Sequence, residues 1–287
     1  MATLVIGYLV EWTKDDIVTA QFLTQMRRIH EDAGAPCTLY CVADVITRHR
    51  EQLRDAAGNA LFDVQIAPKR PLKTVCQHAE GKTIVWPGAS LEEIETEIAE
   101  AAGAFSECFG RRPTGISSPL GAYRGLQDRP DILAVLDRHG IRFCRTYARD
   151  QNDWQPVDFS VEPFWYTYQG FSHIAEFPSQ GWQEPIIRKI YGWDDAAGYL
   201  DYVKADVDDA ARRPDSVWSY WACDWSAIRG ATDMAHIEGL IRYAQENGLE
   251  LSTQKAAYER MVTQANSLDA GGNGNNADGG AETELAP

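Results

Sequence analysis

The sequence predicts a parallel α/β fold and, within that class, a barrel. Short apolar runs rich in β-branched and aromatic residues alternate with amphipathic helical stretches along most of the chain. The alternation repeats at roughly 30–45 residues, which is typical of a strand followed by a returning helix. No GxGxxG or GxxxxGK motif follows any of these runs, so a nucleotide-binding open sheet is disfavoured. About seven or eight strand–helix units therefore predict a (β/α) barrel and not an open sheet.

Five helices are predicted from their periodicity and from the residues at their ends. In the segment 16–33 apolar side chains recur every three or four positions, and Gly34 supplies a helix stop. Ser90 and Glu93 have the spacing of a capping box at the start of 91–109. Three further segments show the same pattern: 129–139, 195–212 and 233–247.

Six apolar runs are predicted to be buried strands, because β-branched and aromatic residues fit a strand that is covered on both faces. They are 3–12, 38–42, 61–66, 141–147, 216–223 and 249–252. In a parallel barrel the functional side chains lie where strands end and loops begin. The candidate residues are therefore those that follow each strand.

Composition limits both the domain organisation and the partners. Residues 1–265 are predicted to form one domain, and 266–287 a disordered acidic tail with almost nothing to bury. The chain has 42 acidic and 27 basic residues and a formal charge of −15, which argues against a nucleic-acid partner and an anionic membrane surface. No apolar run approaches the ~18 residues of a transmembrane helix. A homo-oligomer is left open.

The cysteines and the N-terminus both favour a cytoplasmic protein. The N-terminal segment lacks a basic region and a small-residue cleavage site, so no signal peptide is expected. The six cysteines are scattered, lack CxxC spacing and mostly lie in apolar surroundings. We therefore expect buried, reduced thiols and no metal or redox role for them.

Several strand ends combine an acid with an aromatic residue. The first strand ends in EWTKDD, where Glu11 is a candidate acid or base and Asp16 fits a helix cap better. The segments RTYARDQNDW and ACDWSAI each place carboxylates next to a tryptophan. Such pairs suit a sugar site, because CH groups stack on indole while the acid accepts hydroxyl protons. A helix-capping aspartate and a packed tryptophan explain the same residues without a ligand.

Taken in order, these segments resemble the polysaccharide deacetylase family, the chitooligosaccharide deacetylase-like metal hydrolases with a distorted (β/α)7 barrel. The resemblance covers roughly residues 3–262. SSPLGAYRGL is similar to the third motif, R-x-P-x-G, with Pro119 and Gly121 in place. RDQNDW is similar to the fourth motif around Asp150 or Asp153, and VWSYWACDWSA to the last motif. The resemblance implies the barrel fold and a carbohydrate substrate.

The functional groups that the resemblance implies are largely replaced. The first motif, T-F-D-D, reads YLVEW here, and only Glu11 remains of it. The two histidine places of the second motif, H-[ST]-x-x-H, hold Gln65 and Lys69. Ser117 stands at the third-motif arginine, and the last-motif histidine is absent. Because a lysine ammonium repels a cation, the sequence predicts no metal site and no other cofactor.

The favoured function is therefore an enzyme that acts on a sugar-like or other polar small molecule by metal-independent acid/base chemistry. Lys69, desolvated in a pocket, would serve as base or nucleophile. Its carboxylate partners would be Glu11, Asp150 and Asp224. The predicted substrate-binding residues are Trp12, Gln65, Tyr123, Arg124, Trp154, His173, Trp182 and Trp225. Among these, His173 is the candidate free imidazole, and Arg124 has a surface salt bridge as its alternative role.

Two other functions remain open. The first is a pseudoenzyme barrel that binds a saccharide or a protein partner without turnover. Random decay at the old strand ends would be expected of it, whereas the loops stay rich in polar and aromatic residues such as QNDW and EFPSQGW. The second is an ordinary zinc-dependent C–N deacetylase with substituted ligands.

Overall fold

The computed structural model describes residues 1–11, 15–79, 81–154 and 156–272. The strands in chain order are β1 (Thr3–Val10), β2 (Cys37–Cys41), β3 (Phe62–Ile66), β4 (Val75–Ala79), β5 (Lys82–Trp86), β6 (Gly115–Tyr123), β7 (Phe143–Arg149), β8 (Phe164–Tyr166), β9 (Phe171–Glu176), β10 (Val217–Cys223) and β11 (Glu250–Ser252). The α-helices are α1 (Asp16–Ala33), α2 (Ala43–Arg48), α3 (Arg50–Ala57), α4 (Leu91–Phe109), α5 (Pro130–Arg138), α6 (Glu184–Tyr191), α7 (Ala196–Ala211), α8 (Asp224–Ala227), α9 (Ala235–Glu246) and α10 (Gln254–Gly272).

The central sheet is parallel over most of its width. Its order is β10-β1-β2-β3-β6-β7-β9-β8, and β11 also pairs with β1. Every neighbouring pair is parallel except β8–β9. Helices cover the sheet, and β1, β2 and β3 are buried along their whole length. The predicted parallel α/β architecture is confirmed.

The barrel is distorted because the two ends of the sheet order, β8 and β10, do not pair in the described part of the chain. The side chain of Gln180, four residues past β9, spans this opening. Its amide donates to the carbonyl oxygen of Val217 at 2.9 Å, and its Oε1 accepts from the Ser219 backbone N–H at 2.9 Å. One carboxamide therefore hydrogen-bonds a backbone C=O and a backbone N–H on the edge of β10, which a neighbouring strand would otherwise pair.

The helices follow the sequence closely. Helices α1 and α4 have the predicted limits, and the capping box of Ser90 and Glu93 is present. The cap of α1 is Asp15, which accepts from the Ile17 N–H at 2.9 Å, and not Asp16. Helices α5, α7 and α9 lie within the three other predicted segments.

Strands β4, β5, β6, β8 and β9 were not among the predicted strands. The segment SSPLGAYRGL forms most of β6 instead of a loop, and Leu120 and Gly121 adopt positive φ angles of 60° and 35° at a bulge. The β4–β5 hairpin forms a separate two-stranded sheet, and the antiparallel pair β8–β9 ends the central sheet. Helix α10 continues to Gly272, into the segment predicted to be a tail. Residues 273–287 lie outside the described residues, so one domain plus a tail stays a prediction.

No described helix combines the length and the apolar character needed to cross a bilayer. All six cysteines are free, as predicted, and five of them are buried.

Gly115→Ala should destabilise the fold, because a Cβ at this first residue of β6 would lie 2.1 Å from the ring of Phe143, its register partner on β7. We expect a loss of about 1–3 kcal/mol in the free energy of unfolding, measured by urea denaturation. Gly103→Ala is the matched control, because it lies in α4 with no atom within 4 Å of the added carbon. It should stabilise slightly. Equal effects of the two substitutions would contradict the close approach at Gly115.

Candidate functional site

The carboxyl ends of the parallel strands open into a cavity of about 520 Å³. Side chains from β1, β6, β7, β10, α6, α8 and the β4–β5 hairpin converge there, as expected for the loop end of a parallel barrel. The aromatic lining consists of Trp86, Trp154, Trp193, Trp221 and Trp225. The charged lining consists of Glu11, Arg149, Lys189 and Arg229.

Glu11 directly follows β1 and is half-buried at the cavity. Trp225 donates a hydrogen bond from Nε1 to Glu11 Oε1 at 3.3 Å. Burial, and then the charge of nearby Asp224, raises the pKa of Glu11 to about 7. Hydrogen bonds from Trp225 and Cys223 and the charge of Arg145 act in the opposite direction. Glu11 can therefore take up and release a proton near neutral pH.

Asp224, the first residue of α8, is fully buried beside the cavity. Its Oδ2 accepts from Thr19 Oγ1 on α1 at 2.9 Å, and its Oδ1 accepts from the Trp225 N–H at 2.9 Å. These bonds fix α8, and with it the indole that contacts Glu11. Asp224 acts on Glu11 through its charge, so it is a positioning residue and not a catalytic one.

Arg145, on β7, lies inside the barrel and is only 2% exposed. Its guanidinium donates to Ser117 Oγ at 2.6 Å and to Ser179 Oγ at 3.2 Å, and it lies 4.5 Å from the ring of Trp221. Desolvation lowers its pKa to about 10. Sequence reasoning missed this residue. The available signal was a charged residue within the apolar strand IRFCRTY.

Arg149 was missed as well. Its Nε donates to the carbonyl oxygens of Leu120 and Gly121 at 2.8 and 3.1 Å, and its Nη1 donates to that of Asp153 at 2.8 Å. The guanidinium therefore holds the β6 bulge against the loop that follows β7. It does so at the cavity wall, where it is 4% exposed.

The predicted tryptophans fall into two groups. Trp154 and Trp225 line the cavity as expected. Trp182 packs edge-on against Trp154, with ring centroids 5.9 Å apart, and supports it from behind. Trp12 lies outside the described residues.

The predicted role of Lys69 is wrong. Its ammonium is 45% exposed and forms an ion pair with Asp44 at 3.0 Å, so it is not the desolvated base that the prediction required. Its backbone N–H donates to Glu97 at 2.8 Å. This segment turns outward after β3 and lies outside the cavity.

Gln65 is a structural residue, so its predicted contact with substrate is also wrong. It is fully buried on β3, and its Oε1 accepts from the N–H groups of Thr114 and Gly115 at 3.0 and 2.7 Å. Its Nε2 donates to Asp63 at 2.8 Å. These bonds join β3 to β6, which share a single paired position.

Two further predicted site residues, Asp150 and His173, do not line the cavity. Asp150 organises its own loop by accepting from the N–H groups of Asn152 and Trp154 at 2.8 and 2.9 Å. Its role is therefore to place Trp154. His173 lies in the amino-terminal half of β9, away from the carboxyl ends, where it is 46% exposed and bonded to Asp137 at 2.7 Å.

Tyr123 and Arg124 line a second depression, of about 590 Å³, between the end of β6 and the loop after β7. Lys73 in its wall is tied to Asp128 and to the Gly125 carbonyl oxygen. The depression has no tryptophan among its described lining residues, so the first cavity is the better candidate.

The residues that the sequence resemblance places at the metal positions do not fit a divalent cation. Gln65 uses its oxygen on two backbone N–H groups, and Lys69 carries a positive charge. No group of three or more His, Cys, Asp or Glu side chains with a metal-binding arrangement occurs among the residues that the structure describes. Glu11 alone is too little for a zinc or calcium site.

Comparison with solved structures identifies the fold. A Mycobacterium smegmatis protein described as a polysaccharide deacetylase superposes with a TM-score of 0.63 at 13% identity, over 92% of each chain. The chain has the fold of the polysaccharide deacetylases. An allantoinase superposes equally well, at 13% identity over 90% of this chain and 88% of its own. A CE4-family pseudoenzyme from Bacillus anthracis matches with a TM-score of 0.54 at 9% identity, over 90% of this chain and 65% of that one.

The deacetylase resemblance seen in the sequence is thus confirmed as a fold. No protein-family model and no curated sequence matches the chain. In the sequence resemblance, Ser117 takes the place of the third-motif arginine. Arg145, the register partner of Ser117 on β7, supplies a guanidinium that bonds to Ser117.

Glu11→Gln should stabilise the protein increasingly as the pH rises. Burial raises the pKa of Glu11 from 4.5 to about 7, so between these values the native state binds more protons than the unfolded state and loses stability with rising pH. Glutamine removes that loss, a gain of up to about 3 kcal/mol above pH 7 and almost none below pH 4.5. Urea unfolding of both proteins from pH 4.5 to 8 measures it. A difference that does not vary with pH would contradict the shifted pKa.

Proposed function

We propose that this chain binds a saccharide in the tryptophan-lined cavity and acts on it by metal-independent acid/base chemistry at Glu11. The observation that carries the proposal is the position of Glu11, whose pKa is about 7, at a cavity lined by five tryptophans. The deacetylase-type barrel supports a carbohydrate ligand, because the Mycobacterium smegmatis neighbour is described as acting on a polysaccharide.

The aromatic walls favour a sugar over a compact polar molecule. Indole faces stack on the CH groups of a pyranose while the hydroxyl groups keep polar partners. Trp86 of the hairpin is 42% exposed, and its neighbours Ile84 and Val85 are 44% and 56% exposed. A wall that continues as apolar surface beyond the cavity suits a ligand longer than one sugar ring.

Glu11 is the acid/base group in this proposal. With its pKa near 7, both protonation states are populated at neutral pH, which suits proton transfer to or from a reacting oxygen or nitrogen. Burial and then the charge of Asp224 favour the neutral acid, whereas the charge of Arg145 favours the carboxylate. Their balance keeps Glu11 ready to exchange a proton, and water supplies the nucleophile for a hydrolysis.

A saccharide-binding pseudoenzyme is the second candidate, and the burial of Asp224 favours it. Because Asp224 is fully buried and hydrogen-bonded to Thr19, the described cavity wall offers a single carboxyl group. A CE4-family pseudoenzyme shares the fold.

A zinc-dependent deacetylase is the third candidate, since Gln65 and Lys69 do not suit a metal site. Six free cysteines suit a reducing compartment, so the proposal places the protein in the cytoplasm.

Three measurements separate these functions. Elemental analysis of protein prepared without chelator should show no stoichiometric transition metal; one tightly held equivalent would favour the zinc enzyme. Trp154→Ala and Trp225→Ala should weaken the binding of N-acetylated chitooligosaccharides by about tenfold each, measured by calorimetry. His173→Ala, far from the cavity, is the matched control.

Turnover of the same oligosaccharides distinguishes enzyme from pseudoenzyme. Glu11→Gln should abolish product formation while oligosaccharide binding persists. Glutamine keeps the oxygen that accepts from Trp225 but loses the exchangeable proton. Binding without turnover by the unaltered protein would favour the pseudoenzyme. Absence of saccharide binding would overturn both.

A further inference from the structure

The charges that line the cavity are mostly positive, whereas the protein as a whole is acidic. The chain has 42 acidic and 27 basic residues, yet the cavity lining holds three cations, Arg149, Lys189 and Arg229, and one carboxyl group, Glu11. Because the pKa of Glu11 is about 7, even that single negative charge is partial at neutral pH. A local excess of positive charge on an acidic protein concentrates negatively charged ligands at that place.

None of the three lining cations has a carboxylate within 4 Å in the described ranges of the chain. Arg149 contacts only carbonyl oxygens, and Arg229 lies over the Trp193 ring at 4.4 Å. Lys189 is exposed on α6. Most other arginines and lysines in those ranges do form ion pairs, including Arg27, Arg70, Arg138, Lys204 and Arg260.

The buried arginines differ in whether they have a carboxylate partner. Arg188, 2% exposed, has Glu184 at 3.4 Å, as expected for a buried charge. Arg145 and Arg149 are 2% and 4% exposed and have no such partner among the described residues. The Arg145 Nε also lacks a hydrogen-bond acceptor there.

The two unpaired guanidiniums lie on one strand and adjoin the same cavity. Arg149 lines it directly, and Arg145 lies 4.5 Å behind the Trp221 ring that lines it. Arg149 uses Nε and Nη1 on the backbone, and no bond from its Nη2 to another described residue is formed. Its remaining donor capacity and the charges of Lys189 and Arg229 suit an anionic group from outside the chain.

We propose that the cavity takes an anionic saccharide, one whose rings carry carboxylate or sulfate groups. The proposal rests on the saccharide-binding function above and names its substrate class. The tryptophans hold the sugar rings by stacking, while Arg149, Lys189 and Arg229 bind the acidic substituents. Charge-assisted hydrogen bonds to these cations would then select acidic over neutral sugars.

Calorimetry with matched pairs of oligosaccharides tests this proposal. The acidic probes are tetragalacturonate and a sulfated galactan tetrasaccharide; the neutral probes are the methyl-esterified and desulfated forms of the same chains. At least one acidic probe should bind about tenfold more tightly than its neutral form at low salt, and the advantage should shrink as salt is added.

Variants locate the effect. Lys189→Gln with Arg229→Gln should remove most of the acidic preference, because the change weakens binding of the acidic probes by a larger factor than binding of the neutral ones, and Arg229→Lys should restore part of that preference. Arg54→Gln removes one positive charge from an exposed position of α3 outside the cavity; it is the control for loss of charge elsewhere on the protein and should have no effect.

The outcomes separate this proposal from the proposed function. Neutral probes that bind as tightly as acidic ones, or an equal effect of the Arg54 control, would overturn the anionic class and leave saccharide binding in place. If the acidic probes, the neutral probes and the N-acetylated chitooligosaccharides all fail to bind, saccharide binding is overturned, and this proposal with it.

Discussion

The burial of the Arg145 guanidinium inside the barrel is the constraint on which the rest of this site depends. The group bonds to Ser117 on β6 and to Ser179 beyond β9, and it lies within 5.4 Å of the ring of Tyr40 on β2 and 4.5 Å of Trp221 on β10. A desolvated cation requires such partners, so strands from opposite sides of the barrel are held at fixed separation around it. The cavity lies directly above this cluster, with Trp221 belonging to both.

A fixed internal cation changes the chemistry that this barrel can perform. The resemblance places Gln65 and Lys69 at the two histidines of the metal motif; Gln65 joins β3 to β6, and Lys69 pairs with Asp44 at the surface. What remains near the cavity is a carboxyl group, Glu11, between a favourable charge from Arg145 and an unfavourable one from Asp224. Proton transfer is the reaction class that this arrangement supports, and the aromatic walls supply the binding surface.

The sequence predicted the fold well and the site in part. Helices such as α1 and α4 were predictable because periodicity, caps and glycine stops agree. The β6 strand was not, because Pro119 and Gly121 indicate a loop and only the tertiary structure shows a bulged strand.

Among the site residues, Glu11, Trp154 and Trp225 could be identified because they follow strands. Lys69 and His173 were misplaced, since a linear pattern does not show which way a chain turns after a strand or which strand end a residue occupies. Arg145 was missed because one charge in an apolar strand can point into the barrel or out of it.

The central claim is that Glu11 is a proton-exchanging group at a cavity that withdraws it partly from water. The most direct measurement is isotope-edited infrared titration of the Glu11 carboxyl, taken as the difference between 13C-glutamate-labelled protein and its Glu11→Gln variant. The account predicts that the protonated carboxyl signal is lost with a midpoint near pH 7, as burial and Asp224 require. A midpoint near the ordinary value of 4.5 would show a solvated carboxylate and would contradict the account.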